Sequence, residues 1–194
     1  ALVSVTDRKL DPDLSPDMDF ETRLNAVRHW QGEQAFLIGH QLLHGQIKAR
    51  DAAADWTRLA DTCVSLMARA AETETERRFG PAPGTWSIIG LGKLGGREMT
   101  AGSDLDLLVI YDAQGAEGAQ TWFTKFTQRL ITAISAETSE GSLYETDMRL
   151  RPSGRSGPVA TSLAAFESYH DTSAWTWEHM ALTRLRPIVG DAGL

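Results

Sequence analysis

The chain has 194 residues, 42% of them hydrophobic, a formal net charge of −7 and one cysteine. The length suits one domain with a helical appendage, and the negative charge argues against broad nucleic-acid binding, which rests on phosphate neutralisation. No apolar run nears the roughly 18 residues of a membrane span, no signal-peptide pattern opens the chain, and Cys63 cannot form an intrachain disulfide, so a reducing cytoplasm is expected.

Residues 1–18, with Pro12 and Pro16 among acids, read as an irregular lead-in. From about 19 to 47, Phe20, Leu24, Val27, Trp30, Leu37, Ile38 and Leu42 recur at helical spacing. A second helix is expected over about 52–79, with Leu59, Cys63, Leu66, Met67 and Ala70 as its apolar stripe. The stretch GPAPG at 80–84 stops it and marks a seam between a helical segment, 1–84, and a mixed segment, 85–194.

After the seam the period changes. Residues 86–91 read as a strand, and 105–111 as a second one, apolar on both faces and therefore central. A helix follows over about 120–137, burying Trp122, Phe123, Phe126, Leu130, Ile131 and Ile134. A third strand is expected over 143–150, then an exposed flexible loop over 152–158, then helices over about 162–170 and 175–185. Trp175 and Trp177, with Glu178 and His179, are expected to pack the last helix onto the sheet. His40 and His44 lie four apart on a helix, but without a third ligand they read as solvated.

GLGKLG at 90–95 matches a dinucleotide-binding triple of glycines, and Asp112 ends the next strand about 20 residues on. A parallel crossover needs a helix of about ten residues or more. Only 96–103 is available, and it has no apolar stripe. The two strands should therefore pair antiparallel through a tight loop.

Asp104 and Asp106 open the central strand. Side chains two apart share a face, about 6–7 Å from each other. A carboxylate beside an apolar strand costs several kcal/mol unless paired, and no Lys or Arg stands within four residues on that strand. A divalent cation is the natural partner; two carboxylates at this separation can hold two Mg²⁺ ions about 3.5–4 Å apart, the arrangement of nucleotidyl transfer. On the third strand, alternation puts Glu145, Asp147 and Arg149 on one face, so Asp147 completes a carboxylate triad. Arg149 and Arg151 either neutralise phosphate charge or partner Glu145 and Asp147 structurally. Gly95 and Gly96 would let backbone N–H groups approach a triphosphate, and Ser103 would add a hydroxyl. Lys93 and Arg97 bracket that loop, as phosphate contacts or as solvated surface charges.

GKLGGRE (92–98), SDLD (103–106), YETDMRLRP (144–152) and WTWEHMALTR (175–184) together closely resemble the bacterial glutamine synthetase adenylyltransferases, within the DNA polymerase β-like nucleotidyltransferases. The likeness covers about 23–191. It implies an α+β fold: a polymerase β-like core with a small, mostly antiparallel sheet and flanking helices, preceded by helices. It also implies Mg²⁺-dependent transfer of AMP from ATP to a tyrosine of glutamine synthetase, with pyrophosphate released. Asp104 and Asp106 would ligate the metal ions, and Asp147 would ligate the catalytic metal or take the tyrosine proton. Enzymes of this family carry two related copies, and the loop REMTAGS (97–103) with His179 looks more like the adenylylating copy. The alternatives are the copy that removes AMP by phosphorolysis, a module that senses nucleotide without turnover, and a protein-interaction domain. Implied partners are glutamine synthetase and, through the full-length enzyme, a PII-type signalling protein.

Overall fold

The computed structural model describes residues 14–15, 18–138 and 140–194. Most of the lead-in lies outside them. Helix α1, Phe20–Leu43, begins at Asp19, whose carboxylate accepts the Thr22 N–H at 2.9 Å and so satisfies a free first-turn donor. Helix α2, Ala49–Phe79, ends at Gly80, whose φ of 84° carries the chain away in a conformation disfavoured for other residues. The stripe read from the sequence is its buried face, and Cys63 sits in it as an apolar filler, its thiol pushed up by burial.

Strand β1, Thr85–Gly90, leads into a one-turn helix α3, Gly92–Gly95, then a loop and β2, Leu105–Asp112. The two strands pair antiparallel, with Gly90 opposite Leu107 and Ser87 opposite Ile110. The tight connection is as expected, and it removes the dinucleotide-binding reading. Helix α4, Ala119–Ser135, crosses back so that β3, Thr146–Asp147, and β4, Thr161–Ser162, run parallel to β2. Helices α5, Leu163–Thr172, and α6, Thr176–Leu182, then lead to β5, Arg186–Gly190, antiparallel on the far side of β1. The sheet order is β3-β2-β1-β5, with β4 also on β2, so β2 is central. The fold is α+β, with a small mixed sheet whose two long pairings are antiparallel.

Alternation along β2 divides its side chains between two cores. Leu105, Leu107, Val109 and Tyr111 join a large cluster with α1, α2 and α4. There Tyr111 stacks on Phe123 at 4.3 Å and Trp86 meets Phe126 at 4.8 Å between ring centroids. Leu108 and Ile110 face the other way, into a smaller cluster with Leu163, Phe166 and Leu182. Asp106 continues the spacing of that second face.

Three expectations are corrected. The third strand is only Thr146–Asp147, because Arg149 and Met148 already belong to the turn that follows. Trp175 and Trp177 are 71% and 54% exposed, and it is Glu178, at 6%, that is buried. Its carboxylate accepts the Tyr169 hydroxyl at 2.9 Å and the Trp175 N–H at 2.7 Å, tying α5 to α6. The 152–158 loop contains a 3₁₀ turn, Gly154–Ser156, and buries Pro152.

Candidate active site

The parallel register of β2 and β3 sets Asp106 directly beside Asp147, with Leu105 beside Thr146. The Leu105 N–H donates to the Glu145 carbonyl at 2.9 Å and fixes that register. Asp104 is exposed at the strand mouth, Asp106 is half-buried, and the Asp147 side chain is 15% exposed. The three acids read from the sequence thus lie together at one edge of the sheet.

Burial, first, and then the charges of Asp104 and Asp147 push the Asp106 carboxyl above the ordinary carboxylate range; Arg149 and Lys93 oppose this without cancelling it. Three carboxylates thus stand together, with the charges of Arg149 and Lys93 near Asp106. All its donors are oxygens, the set a hard cation such as Mg²⁺ takes. The residues fit such an ion in chemistry and in charge. Among the described residues, however, no three acids or imidazoles converge on a single point. Asp147 is turned to Arg149, accepting its backbone N–H at 2.8 Å and its Nε–H at 2.6 Å.

Beneath Asp106 lies Gly92, with φ +52°. A Cβ there would stand 2.0 Å from Asp106 Oδ2, so glycine is required both for the backbone conformation and for the carboxylate's seat. Gly95 is as tightly held: a Cβ would meet the Arg184 carbonyl oxygen at 1.8 Å.

The other predicted contacts divide. Lys93 is exposed, and its charge reaches Asp106. Arg149 is exposed and bound to Asp147. Arg151 donates to the carbonyls of Met148 at 2.7 Å and Gly157 at 3.3 Å, folding the loop after β3 onto itself. The N–H groups of Gly95 and Gly96 donate to the carbonyls of Leu91 and Gly92, so they hold the turn. Ser103 is 6% exposed, and its Oγ accepts the Thr100 N–H at 3.0 Å. Arg97 lines a cleft with Asp51, Asp55 and Asp61 of α2, a cleft that Asp104, Asp106 and Asp147 do not line. His40 and His44 stack on each other on the exposed face of α1.

One residue escaped the sequence reading. Arg186, in β5, bridges Asp61 of α2 and the carbonyls of Leu94 and Gly95. Its signal in the sequence was an arginine directly before Pro187.

The sequence profile of glutamate-ammonia ligase adenylyltransferase matches residues 4–194. The chain belongs to that family. Among curated proteins it is similar to the bifunctional glutamine synthetase adenylyltransferase/adenylyl-removing enzyme of Agrobacterium fabrum, 50% identical over 191 residues, covering 93% of this chain and 19% of the relative. The proteins of the same name from Mesorhizobium japonicum and Xanthobacter autotrophicus are 46% and 43% identical, covering 96% and 97% of the chain. The chain spans about a fifth of the length of these relatives, 20% and 22% in the latter two. In this chain the carboxylates fall where β2 meets β3. Among the described residues no helix is long and apolar enough to cross a membrane.

Proposed function

We propose that this chain is a Mg²⁺-dependent adenylyltransferase domain that moves AMP from ATP to a tyrosine of glutamine synthetase. The observation that carries the reading is the adjacent placement of Asp104, Asp106 and Asp147, with Asp106 held against the charge of its two neighbours. Asp104 and Asp106 would hold the metal, and Asp147 would complete its donor set or take the phenolic proton. When bound, the metal would neutralise phosphate charge at the reacting centre. Arg149, exposed and paired with Asp147, would meet phosphate oxygens, and Lys93 would add a second positive charge near Asp106. The tyrosine oxygen forms a bond to the α-phosphorus, the bond from that phosphorus to the bridging oxygen breaks, and pyrophosphate leaves with the electron pair. The phenolic proton, of ordinary pKa about 10, leaves to a carboxylate of the triad.

A second reading, phosphorolytic removal of AMP with release of ADP, is supported by the second activity in the relatives' names. One paired assay separates them. The chain is incubated with Mg²⁺, glutamine synthetase and ATP labelled at the α-phosphate; in parallel it is given phosphate and adenylylated glutamine synthetase. Label on the synthetase supports the first reading, and ADP in the parallel reaction supports the second. Near wild-type transfer by Asp104→Asn or Asp106→Asn would sink the assignment of the site; a loss of at least about a hundredfold is expected.

A further inference from the structure

The arginine that the sequence did not single out joins α2 to the glycine turn beneath the site. The Arg186 side chain is 17% exposed, and its guanidinium forms a two-pronged pair with Asp61, Nη1 to Oδ2 at 2.9 Å and Nη2 to Oδ1 at 2.8 Å. The same group donates from Nη2 to the Leu94 carbonyl at 2.9 Å and from Nε to the Gly95 carbonyl at 3.3 Å. Those two carbonyls close the single turn of α3; the Leu94 carbonyl also accepts the Arg97 N–H at 3.3 Å, longer than its 2.9 Å bond from Arg186. The other end of that turn is Gly92, on which the Asp106 carboxylate rests. A continuous line of contacts therefore runs from α2 through Asp61 and Arg186 to α3, and through Gly92 to Asp106.

Backbone bonds also hold the turn: the Gly95 and Gly96 N–H groups donate to the Leu91 and Gly92 carbonyls, and the Leu91 N–H donates to the Asp106 carbonyl at 2.9 Å. The turn is four residues long, with two glycines, and a lone helical turn is unstable by itself. Leu94 is buried beneath it and Gly95 lies against the Arg184 carbonyl, which gives the turn a seat, and Arg186 is the side chain that ties that seat to α2. A guanidinium is suited to this because its planar fork pairs with a carboxylate through two N–H groups while donating to two carbonyls, a two-pronged match that the compact ammonium of lysine lacks.

We propose that Arg186, anchored by Asp61, is a positioning residue that sets the glycine turn and through it the Asp106 carboxylate for adenylyl transfer. This rests on the proposed function. Arg186 touches none of the three acids; it acts on them through the backbone of α3. The pairing also makes α2 part of the catalytic apparatus, since any shift of that helix relative to the sheet reaches Asp106 by this route.

The test uses Arg186→Lys, Asp61→Asn and Gly95→Ala in the same chain. Asp61→Asn leaves the arginine in place and is the safeguard if Arg186→Lys folds poorly. Gly95→Ala displaces the same turn with Arg186 intact. Three readouts are taken: transfer rate as a function of Mg²⁺ and ATP, Mn²⁺ binding by electron paramagnetic resonance, and hydrogen exchange of amides 91–98. Arg186→Lys is expected to lower transfer about 10- to 100-fold, the range for a misplaced catalytic group. It should also raise half-saturating Mg²⁺, weaken Mn²⁺ binding and speed exchange of the turn. Asp61→Asn should show the same pattern at smaller amplitude, and Gly95→Ala a comparable one. Wild-type Mn²⁺ affinity and wild-type exchange in folded Arg186→Lys would overturn the proposal, whatever its melting temperature. If the wild-type chain transfers no label, the transfer reading fails, while Mn²⁺ binding and exchange still decide whether Arg186 sets the turn.

Discussion

The two faces of β2 follow opposite rules. One face, Leu105, Leu107, Val109 and Tyr111, is covered by α2 and α4 and packed with aromatic rings. The other runs from the acids through Leu108 and Ile110, under a thinner layer contributed by α5 and α6. Apolar burial and ring contacts stabilise the first face. On the second, Asp106 is ionised only against burial and two like charges. The difference teaches that the packed face supplies the stability that lets the acidic face stay electrostatically strained in a fixed place.

The strongest way to break the contrast is on the packed face. Phe123 is fully buried between Tyr111 and Trp122, so Phe123→Ala should cost about 3–5 kcal/mol in denaturant unfolding. That is a large part of the stability of an ordinary domain. On the acidic face, Gly92→Ala should cost about 1–2 kcal/mol from its positive φ, far less than Phe123→Ala. It should nonetheless lower adenylyl transfer about a hundredfold, because the new methyl displaces the Asp106 carboxylate. Back on the packed side, Trp86 Nε1 donates to Glu72 at 2.7 Å. Glu72→Ala should cost about 1 kcal/mol with transfer rate unchanged, and Glu72→Gln should recover most of it.

The smallest effect has the opposite sign. The folded Asp106 carboxyl has a raised pKa, so its contribution to stability is complete below the ordinary value of about 3.9 and is lost as pH rises through the folded value. Without divalent cations, Asp106→Asn should therefore melt slightly higher than wild type near neutral pH. The difference should shrink towards pH 3, where the wild-type carboxyl is protonated in both states. Paired melting curves in chelator at the two pH values check this. A melting point for Asp106→Asn below wild type at neutral pH would show that the acidic face is not strained.

Much of this division was legible in residue order. Alternation placed Asp104 and Asp106 opposite Leu105 and Leu107, and the short span 96–103 required antiparallel pairing of β1 and β2. The heptad-like spacing of Trp122, Phe123, Phe126 and Leu130 gave the inner face of α4. Tertiary context hid the rest. β3 and β4 are two residues each, too short for any period to show. β5 is five residues long and carries Pro187 after Arg186, so it was left unassigned beyond the helix expected to end at about 185. Trp175 and Trp177 have the composition of a core, yet the capping of α6 by Glu178 leaves both outside. The hydroxyl of Ser103 and the N–H groups of Gly95 and Gly96 were open to a ligand on paper, and local turns already use them. Arg186 was invisible because its partners stand 125 and 92 residues away in the chain.

The pairing of Asp106 with Asp147 also carries a message about time. Its two acids are joined by a parallel register, which cannot form until the intervening α4 has crossed the sheet and docked. Contacts of such sequence separation form slowly relative to local ones, whereas the hairpin of β1 and β2 closes over a short span. The hydrophobic frame and the first two acids can therefore be in place while the third is still missing. Activity should appear after compaction, as a separate and later event during refolding. A chain emerging from the ribosome would stay chemically silent until residue 147 and its neighbours have reached the edge of β2.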